Sequence, residues 1–209
     1  MVSDIFRKFN SAQEVRKTYD NWPLWFLSRM GLQLGGGSTE IKVNGATFLA
    51  PNNPESWGIA DQVWRSKVYT KHFSILANYR VLDVGAHFGF FSIFAAQQSP
   101  GVKVVSYEPS TSTFEILRRN LEENLNQESS FAFNFGLSDT CEESIFYKPE
   151  GHDASGTLFK ENIGHTPGPI IKERVKIEKA NRIWDVFDSY DFVKLDCEGS
   201  ELAILRCLG

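Results

Sequence analysis

A strand-turn-helix-strand run between residues 81 and 108 limits the fold more than any other feature of the chain. Val81-Leu82-Asp83-Val84 is a short apolar strand, Gly85 through Gly89 interrupt it, and the apolar run from Phe90 to Gln98 has the length of a short helix. Val102-Lys103-Val104-Val105-Ser106-Tyr107 is a second strand that ends at Glu108. Two strands joined by a helix form a βαβ unit, and the helical crossover forces them parallel. The alternation then continues. After Pro109 comes a helix with Phe114, Leu117, Leu121 and Leu125 on one face and Ser112 and Glu115 at capping-box spacing. Phe131 to Leu137 reads as a third strand, Phe192 to Asp196 as a fourth, and Ser200 to Leu208 as a helix that closes the chain. The expected class is α/β with a Rossmann-like parallel sheet.

The part before residue 79 has a different pattern. Residues 3–34 read as two helices broken near Asn21 and Pro23, with Ile5, Phe6, Phe9, Val15 and Tyr19 in one apolar stripe. Gly35-Gly36-Gly37-Ser38 is a flexible break, and Asn44-Gly45 between Ile41-Lys42-Val43 and Thr47-Phe48-Leu49 predicts a hairpin. A helix from about Pro54 to Phe73 follows, with Trp57, Val63, Trp64 and Val68 facing inward. These elements make an N-terminal helical and hairpin extension over residues 1–78, ahead of the Rossmann-like domain over 79–209. Between the third and fourth strands lies a long excursion with extended runs at Ser144 to Lys148 and Glu173 to Ile177. The polar, Gly- and Pro-rich stretch from Pro149 to Pro169 between them is a candidate substrate lid, since unpatterned loops of that length in compact domains are usually functional or disordered.

Composition excludes several function classes. With 42% hydrophobic and 13% aromatic residues in 209, the chain can bury a core and is not a disordered segment. A formal charge of -4 gives no general attraction to nucleic acid. Cys141, Cys197 and Cys207 are odd in number and form no CxxC pair, so neither a disulfide framework nor a zinc site is expected, only reduced, buried thiols. Asp4, Arg7, Lys8 and Glu14 break up the N-terminus, which excludes a secretory apolar core, and Trp22-Pro23-Leu24-Trp25-Phe26-Leu27 is too short to span a bilayer. The cytoplasm is the default location.

The chemistry collects around the first turn. Gly85 and Gly89 stand where a buried strand becomes a helix, so the backbone can approach a ligand; the competing explanation is tight packing alone. Glu108 ends the neighbouring strand, 19 residues after Gly89, where a carboxylate can accept hydrogen bonds from both hydroxyls of a ribose; the competing explanation is a solvated acid capping the next helix. The glycine pattern is G-x-x-x-G with Ala86, His87 and Phe88 inside it, not the G-x-G-x-x-G that cradles a pyrophosphate. A nicotinamide oxidoreductase is therefore disfavoured, and a non-catalytic nucleoside-binding protein stays open. Asp83 sits within the strand, where an unpaired carboxylate would be costly, and a cationic group such as the ammonium of S-adenosylmethionine would compensate it.

Asp83-Val84-Gly85-Ala86-His87-Phe88-Gly89, Tyr107-Glu108-Pro109 and Val193-Lys194-Leu195-Asp196-Cys197-Glu198-Gly199-Ser200-Glu201 together resemble the FkbM methyltransferases. The third string is the distinctive one, and the likeness covers roughly residues 57–209. The resemblance implies methyl transfer from S-adenosylmethionine, usually to oxygen, on a small-molecule, sugar or lipid-linked acceptor, with no nucleic acid and no membrane span. Carried over by position, Asp83 and the amides of Gly85, Ala86, His87, Phe88 and Gly89 would hold the methionine end, Glu108 the ribose, and Ser138 with Asp139 the adenine edge. Asp196 would lie near the reactive methyl as general base, with His87, His152 and His165 behind it. The family often has Asn where His87 stands. Glu198 and Glu201 would either help to position an acceptor or favour a helix start, and no metal site is expected. Lys194 would face inward and need a partner such as Asp196 or a ligand carboxylate. The resemblance also implies a class I sheet truncated after the fourth strand and its helix: either the chain is a fragment, or the missing edge is covered by the N-terminal segment or by a partner such as a second copy, since an uncovered edge invites association.

Overall fold

The computed structural model describes residues 12–32, 37–150, 156–163, 169–197 except 185–189, and 199–207, with residues 162 and 184 described by backbone alone. The chain divides into two compact units, Met1–Ser74 and Ile75–Gly209. Ile5, Phe6 and Phe9, like Gly35 and Gly36, lie outside the described residues.

In the first unit, α1 occupies residues 12–18 and α2 Trp22–Arg29. Pro23 falls in the first turn of α2, where a missing N–H breaks no helical hydrogen bond. Strands β1 (Ser38–Val43) and β2 (Ala46–Pro51) pair antiparallel from Ser38↔Pro51 to Val43↔Ala46. The two residues between them, Asn44 at φ 47° and Gly45 at φ 81°, are both left-handed, as a two-residue hairpin turn demands. Helix α3 (Pro54–Ala60) begins at Asn53, whose side chain accepts from the Ser56 amide, and passes into a π-helical turn at Asp61–Arg65. The expected continuation to Phe73 does not form. Lys67 adopts a left-handed φ of 50°, which no right-handed helix can accommodate, and Val68 is exposed rather than inward.

The second unit is built on four parallel strands in the order β5-β4-β3-β9: β3 Arg80–Val84, β4 Lys103–Tyr107, β5 Ser130–Phe133 and β9 Phe192–Leu195. Leu82, Val84, Val105 and Tyr107 on one face form a core with Ala180 of α6 (Ala180–Trp184) and Ile204 of α7 (Glu201–Cys207). The opposite face is covered by α4 (Phe90–Ala96) and α5 (Thr111–Asn124), as the helical apolar spacing of residues 114–121 requires.

The expected third strand over Phe131 to Leu137 divides in two. After β5 the chain leaves the parallel sheet, and β6 (Gly136–Ser138) joins a separate sheet of order β6-β8-β7. In that sheet β7 (Glu142–Pro149) and β8 (Ile170–Lys179) pair antiparallel along their length, from Glu142↔Ile177 to Pro149↔Ile170. The long excursion is thus a two-stranded ribbon over much of its course. Of its expected lid, Gly156 packs against Phe146, while His152, Asp153, Ala154, Ser155 and His165 lie outside the described residues. No helix among the described residues is long and apolar enough to cross a membrane.

Candidate functional site

Strand order places the site. The chain runs outward from β3 through β4 to β5 and returns to the other side of β3 as β9, so the order reverses at β3, and crevices at the carboxyl ends of such reversals are where open α/β sheets take ligands. The residues there are the 85–89 turn after β3, Glu108 after β4 and Asp196 after β9.

The turn is held tightly by its own chain. The amides of Gly85 and Ala86 donate to the Tyr107 carbonyl at 3.0 and 2.9 Å, the His87 amide donates to Glu108 Oε2 at 2.9 Å, and the Gly89 amide donates to the Ala86 carbonyl at 2.9 Å. Four of the five amides expected to hold a ligand are therefore engaged internally. Both glycines also have steric reasons. A Cβ on Gly85 (φ 76°) would meet the Asp196 carbonyl oxygen, and one on Gly89 (φ 83°) would meet Leu117 Cδ1 of α5 at 2.8 Å. Asn120 of α5 donates to the Phe88 carbonyl at 2.8 Å and anchors the far side of the turn.

His87 has φ 52°, a left-handed conformation in which Asn and His are enriched over most residues. That backbone requirement accounts for an Asn or a His at this position without any catalytic demand. Its half-buried ring stacks at a tilt on Phe88, centroids 3.7 Å apart.

Asp83 is fully buried, and its partner lies within the protein, contrary to the expectation of a ligand ammonium. Lys194, paired with it across the β3–β9 ladder, donates from Nζ to Asp83 Oδ1 at 2.9 Å and to the Gly85 carbonyl at 2.7 Å. Ser92 of α4 donates to Asp83 Oδ2 at 2.6 Å and is 2.9 Å from Ser106 Oγ on β4. Asp83 is thus a partner of Lys194 that the sequence did not name. Ser92 and Ser106 were missed in the sequence, although a serine on the inward face of Phe90-Phe91-Ser92-Ile93 was the available signal.

Glu108 is 5% exposed. Among the described residues it accepts two hydrogen bonds, both from backbone amides: His87 at 2.9 Å and Ser110 at 3.0 Å. Burial pushes its carboxyl up to about 7, against the downward pull of those two amides and of the Lys194 charge, and with a further upward push from Asp83. It is thus a buried acid and not a solvated cap. The helix that follows is capped by another residue: Glu173 of β8 accepts from Ser110 Oγ at 2.8 Å and from the Thr111 amide at 2.6 Å, displacing the expected Ser112–Glu115 box. Lys148 of β7 donates to Ser112 Oγ at 2.8 Å.

Asp196 is exposed at the end of β9, its amide donating to the Val84 carbonyl at 3.2 Å. Ser138 and Asp139 end β6, 3.3 Å apart through Oγ and Oδ1; among the described residues no hydrogen bond joins them to Glu108 or the turn. Glu201 turns back on its own loop, accepting from the amides of Cys197 at 2.7 Å and Gly199 at 3.0 Å. Burial would raise its carboxyl, but these bonds hold it below the usual range, which fits a loop-closing role. Glu198 lies outside the described residues. Burial keeps the Cys197 thiol protonated, whereas Cys141 is exposed and not buried as expected.

Residues 83–208, well over half of the chain, match the family described as the Methyltransferase FkbM domain. The chain belongs to the FkbM methyltransferase family. Among its relatives are methyltransferase sdnD of Sordaria araneosa, 26% identical over 170 residues, covering 67% of this chain and 66% of that protein. A second is the AMB antimetabolite synthetase AmbE of Pseudomonas aeruginosa, 34% identical over 190 residues, 74% of this chain and 9% of AmbE. A third is the 31-O-demethyl-FK506 methyltransferase FkbM of Streptomyces tacrolimicus, 35% identical over 78 residues, 37% of this chain and 30% of that one. The FkbM-family chain described above thus spans less than two thirds of each of these relatives.

Proposed function

We propose that this FkbM-family chain is an S-adenosylmethionine-dependent methyltransferase that methylates oxygen on a small-molecule, sugar or lipid-linked acceptor. The observation that carries the proposal is Glu108. A carboxylate has about four lone-pair sites, and this one, buried at the carboxyl end of β4 beside the strand-order reversal, has two amide donors among the described residues. The remaining acceptor capacity suits the two hydroxyls of a ribose. Oxygen as the receiving atom is supported by the relative whose name specifies a 31-O-demethyl substrate.

When bound, S-adenosylmethionine would supply a sulfonium methyl for transfer, with its sulfur leaving as the neutral thioether of S-adenosylhomocysteine. Glu108 holds the ribose. The 85–89 turn gives the site its shape, and its amides act by fixing Glu108 and Tyr107 in place. Asp83 serves through Lys194 rather than by touching ligand. Ser138 and Asp139 are assigned to the adenine edge on motif position. Asp196, exposed at the mouth of the site, takes the proton from the acceptor hydroxyl, and His87 is the second candidate for that task. Holding the acceptor oxygen in line supplies most of the rate enhancement in such displacements.

Calorimetry with S-adenosylhomocysteine and with NAD tests the first half. Binding of the former that is lost in Glu108→Ala is expected; binding of NAD alone would overturn the assignment. Labelled methyl transfer to extracts tests the second, with loss expected in Asp196→Ala. Undiminished transfer in both variants would remove these residues from the site.

A further inference from the structure

The third motif contains a buried lysine with contacts that lead into the nucleoside half of the site. Lys194 is 6% exposed. A buried ammonium is costly unless paired and hydrogen-bonded, and here it bonds two groups on one neighbouring strand, the Asp83 carboxylate at 2.9 Å and the Gly85 carbonyl at 2.7 Å. The second bond falls on the first residue of the turn whose amide at His87 holds Glu108. Only a long, inward side chain on β9 in register with Asp83 can reach both.

We propose that Lys194 is the positioning residue of this site: by bonding the Gly85 carbonyl it locks against β9 the turn whose His87 amide holds Glu108, and its ammonium favours the ionised form of that carboxylate. The proposal rests on Glu108 being the ligand-binding carboxylate, but it concerns the protein before any ligand arrives. Among the charged and titratable groups around Glu108 are Lys194 on β9, Asp83 on β3, His87 in the turn and Tyr107 on its own strand. Glu173 on β8 and Lys148 on β7 bond Ser110 and Ser112 beside it. Of these, Lys194 pulls the carboxyl down and Asp83 pushes it up. Arg at this position would keep the charge, and Gln would keep a donor while losing it.

The backbone amides of His87 and Ser110 both donate to Glu108, so their nitrogen-15 and proton shifts report its ionisation in the ligand-free 209-residue chain. In the wild type these shifts are expected to turn over together near pH 7. In Lys194→Gln the midpoint rises by roughly one unit or more, as expected for loss of a nearby opposite charge. In the double variant Asp83→Asn/Lys194→Met, which leaves no buried unpaired charge, the midpoint also lies above that of the wild type, because the downward pull of Lys194 outweighs the upward push of Asp83. A midpoint above the wild type in both variants is not produced by a merely structural lysine. If Lys194→Gln fails to fold, a midpoint in the double variant at or below that of the wild type overturns the proposal by itself. Unchanged midpoints in all three also overturn it. A wild type that titrates as expected yet binds no S-adenosylhomocysteine overturns the functional proposal and leaves the role of Lys194 standing.

Discussion

Asp61 in the first unit and Glu108 in the second are carboxylates buried to nearly the same depth, and the two are equipped in opposite ways. Asp61, 4% exposed in the π-helical turn of the first unit, accepts from Tyr19 at 2.9 Å, Trp25 at 3.1 Å, Arg29 at 2.6 Å and Arg65 at 3.0 and 3.1 Å. Burial would raise its carboxyl, but the bonds from Arg65, Arg29 and Tyr19 outweigh burial and hold it below the usual range. Glu108, 5% exposed in the second unit, has two amides and a carboxyl pushed up to about 7. Depth of burial therefore does not say whether the protein saturates an acid or leaves it capacity to bind. What distinguishes them is whether the donors supplied by the protein use up the lone pairs.

The strongest test of that contrast is Asp61→Ala. It strands two guanidiniums, a phenol and an indole N–H that share one acceptor, and removing one partner of a buried charge pair typically costs about 3–5 kcal/mol. Arg29 and Arg65 retain some solvent contact, which places the expected loss toward the lower end. Hydrogen exchange of the β1–β2 amides reads it within the first unit. A loss below about 1 kcal/mol would mean that Asp61 is not the hub of that unit.

The second test sets the two acids against pH. Glu108 has a folded value of about 7, raised above the ordinary 4.5. Its contribution to stability is fully present below pH 4.5 and is lost as pH rises through about 7, a change of about 3 kcal/mol at 1.36 kcal/mol per unit. Asp61 is lowered, so its contribution is present above the ordinary 3.8 and is lost as pH falls through its folded value. Exchange of the β4 amides should therefore show the second unit weakening between pH 4.5 and about 7 while the first does not, and Glu108→Gln should flatten that slope. Parallel slopes in the two units would break the comparison. A ligand that prefers the ionised carboxylate should bind more tightly as pH rises over the same interval, again only with Glu108 intact.

How much of this was readable in the sequence depended on how far apart the partners lie. The hairpin at Asn44-Gly45 is a property of two adjacent residues, and the parallel strands announce themselves as apolar runs beside amphipathic helices, so both were evident. Asp83, Glu108 and Lys194 were each singled out by motif, but the pairing of Lys194 with Asp83 spans 111 residues and follows only from the β3–β9 register. The Asp61 cluster gave no signal at all, since its partners lie 42, 36 and 32 residues before it and 4 after. The capping box failed for a related reason. Ser112 and Glu115 have the right local spacing, yet a carboxylate 62 residues downstream occupies the amide at the start of α5.

That carboxylate, Glu173, sharpens the comparison at its smallest scale. Its oxygens hold Ser110 Oγ and the Thr111 amide, while the Ser110 amide holds Glu108, so the β7–β8 ribbon reaches Glu108 through one residue. Asp61 has no such intermediary, because each of its donors touches it directly. Glu173→Ala removes an anion and an acceptor from a helix start, a change worth about 1 kcal/mol, and the loss should appear as faster exchange in the first turn of α5. If Ser110 transmits the effect, the affinity for S-adenosylhomocysteine should fall roughly fivefold, which is that same 1 kcal/mol expressed as binding. Glu173→Gln, which keeps an acceptor, should recover part of both. A helix that loosens with no change in affinity would confine Glu173 to capping, and Glu108 would then be held by the His87 side of the turn.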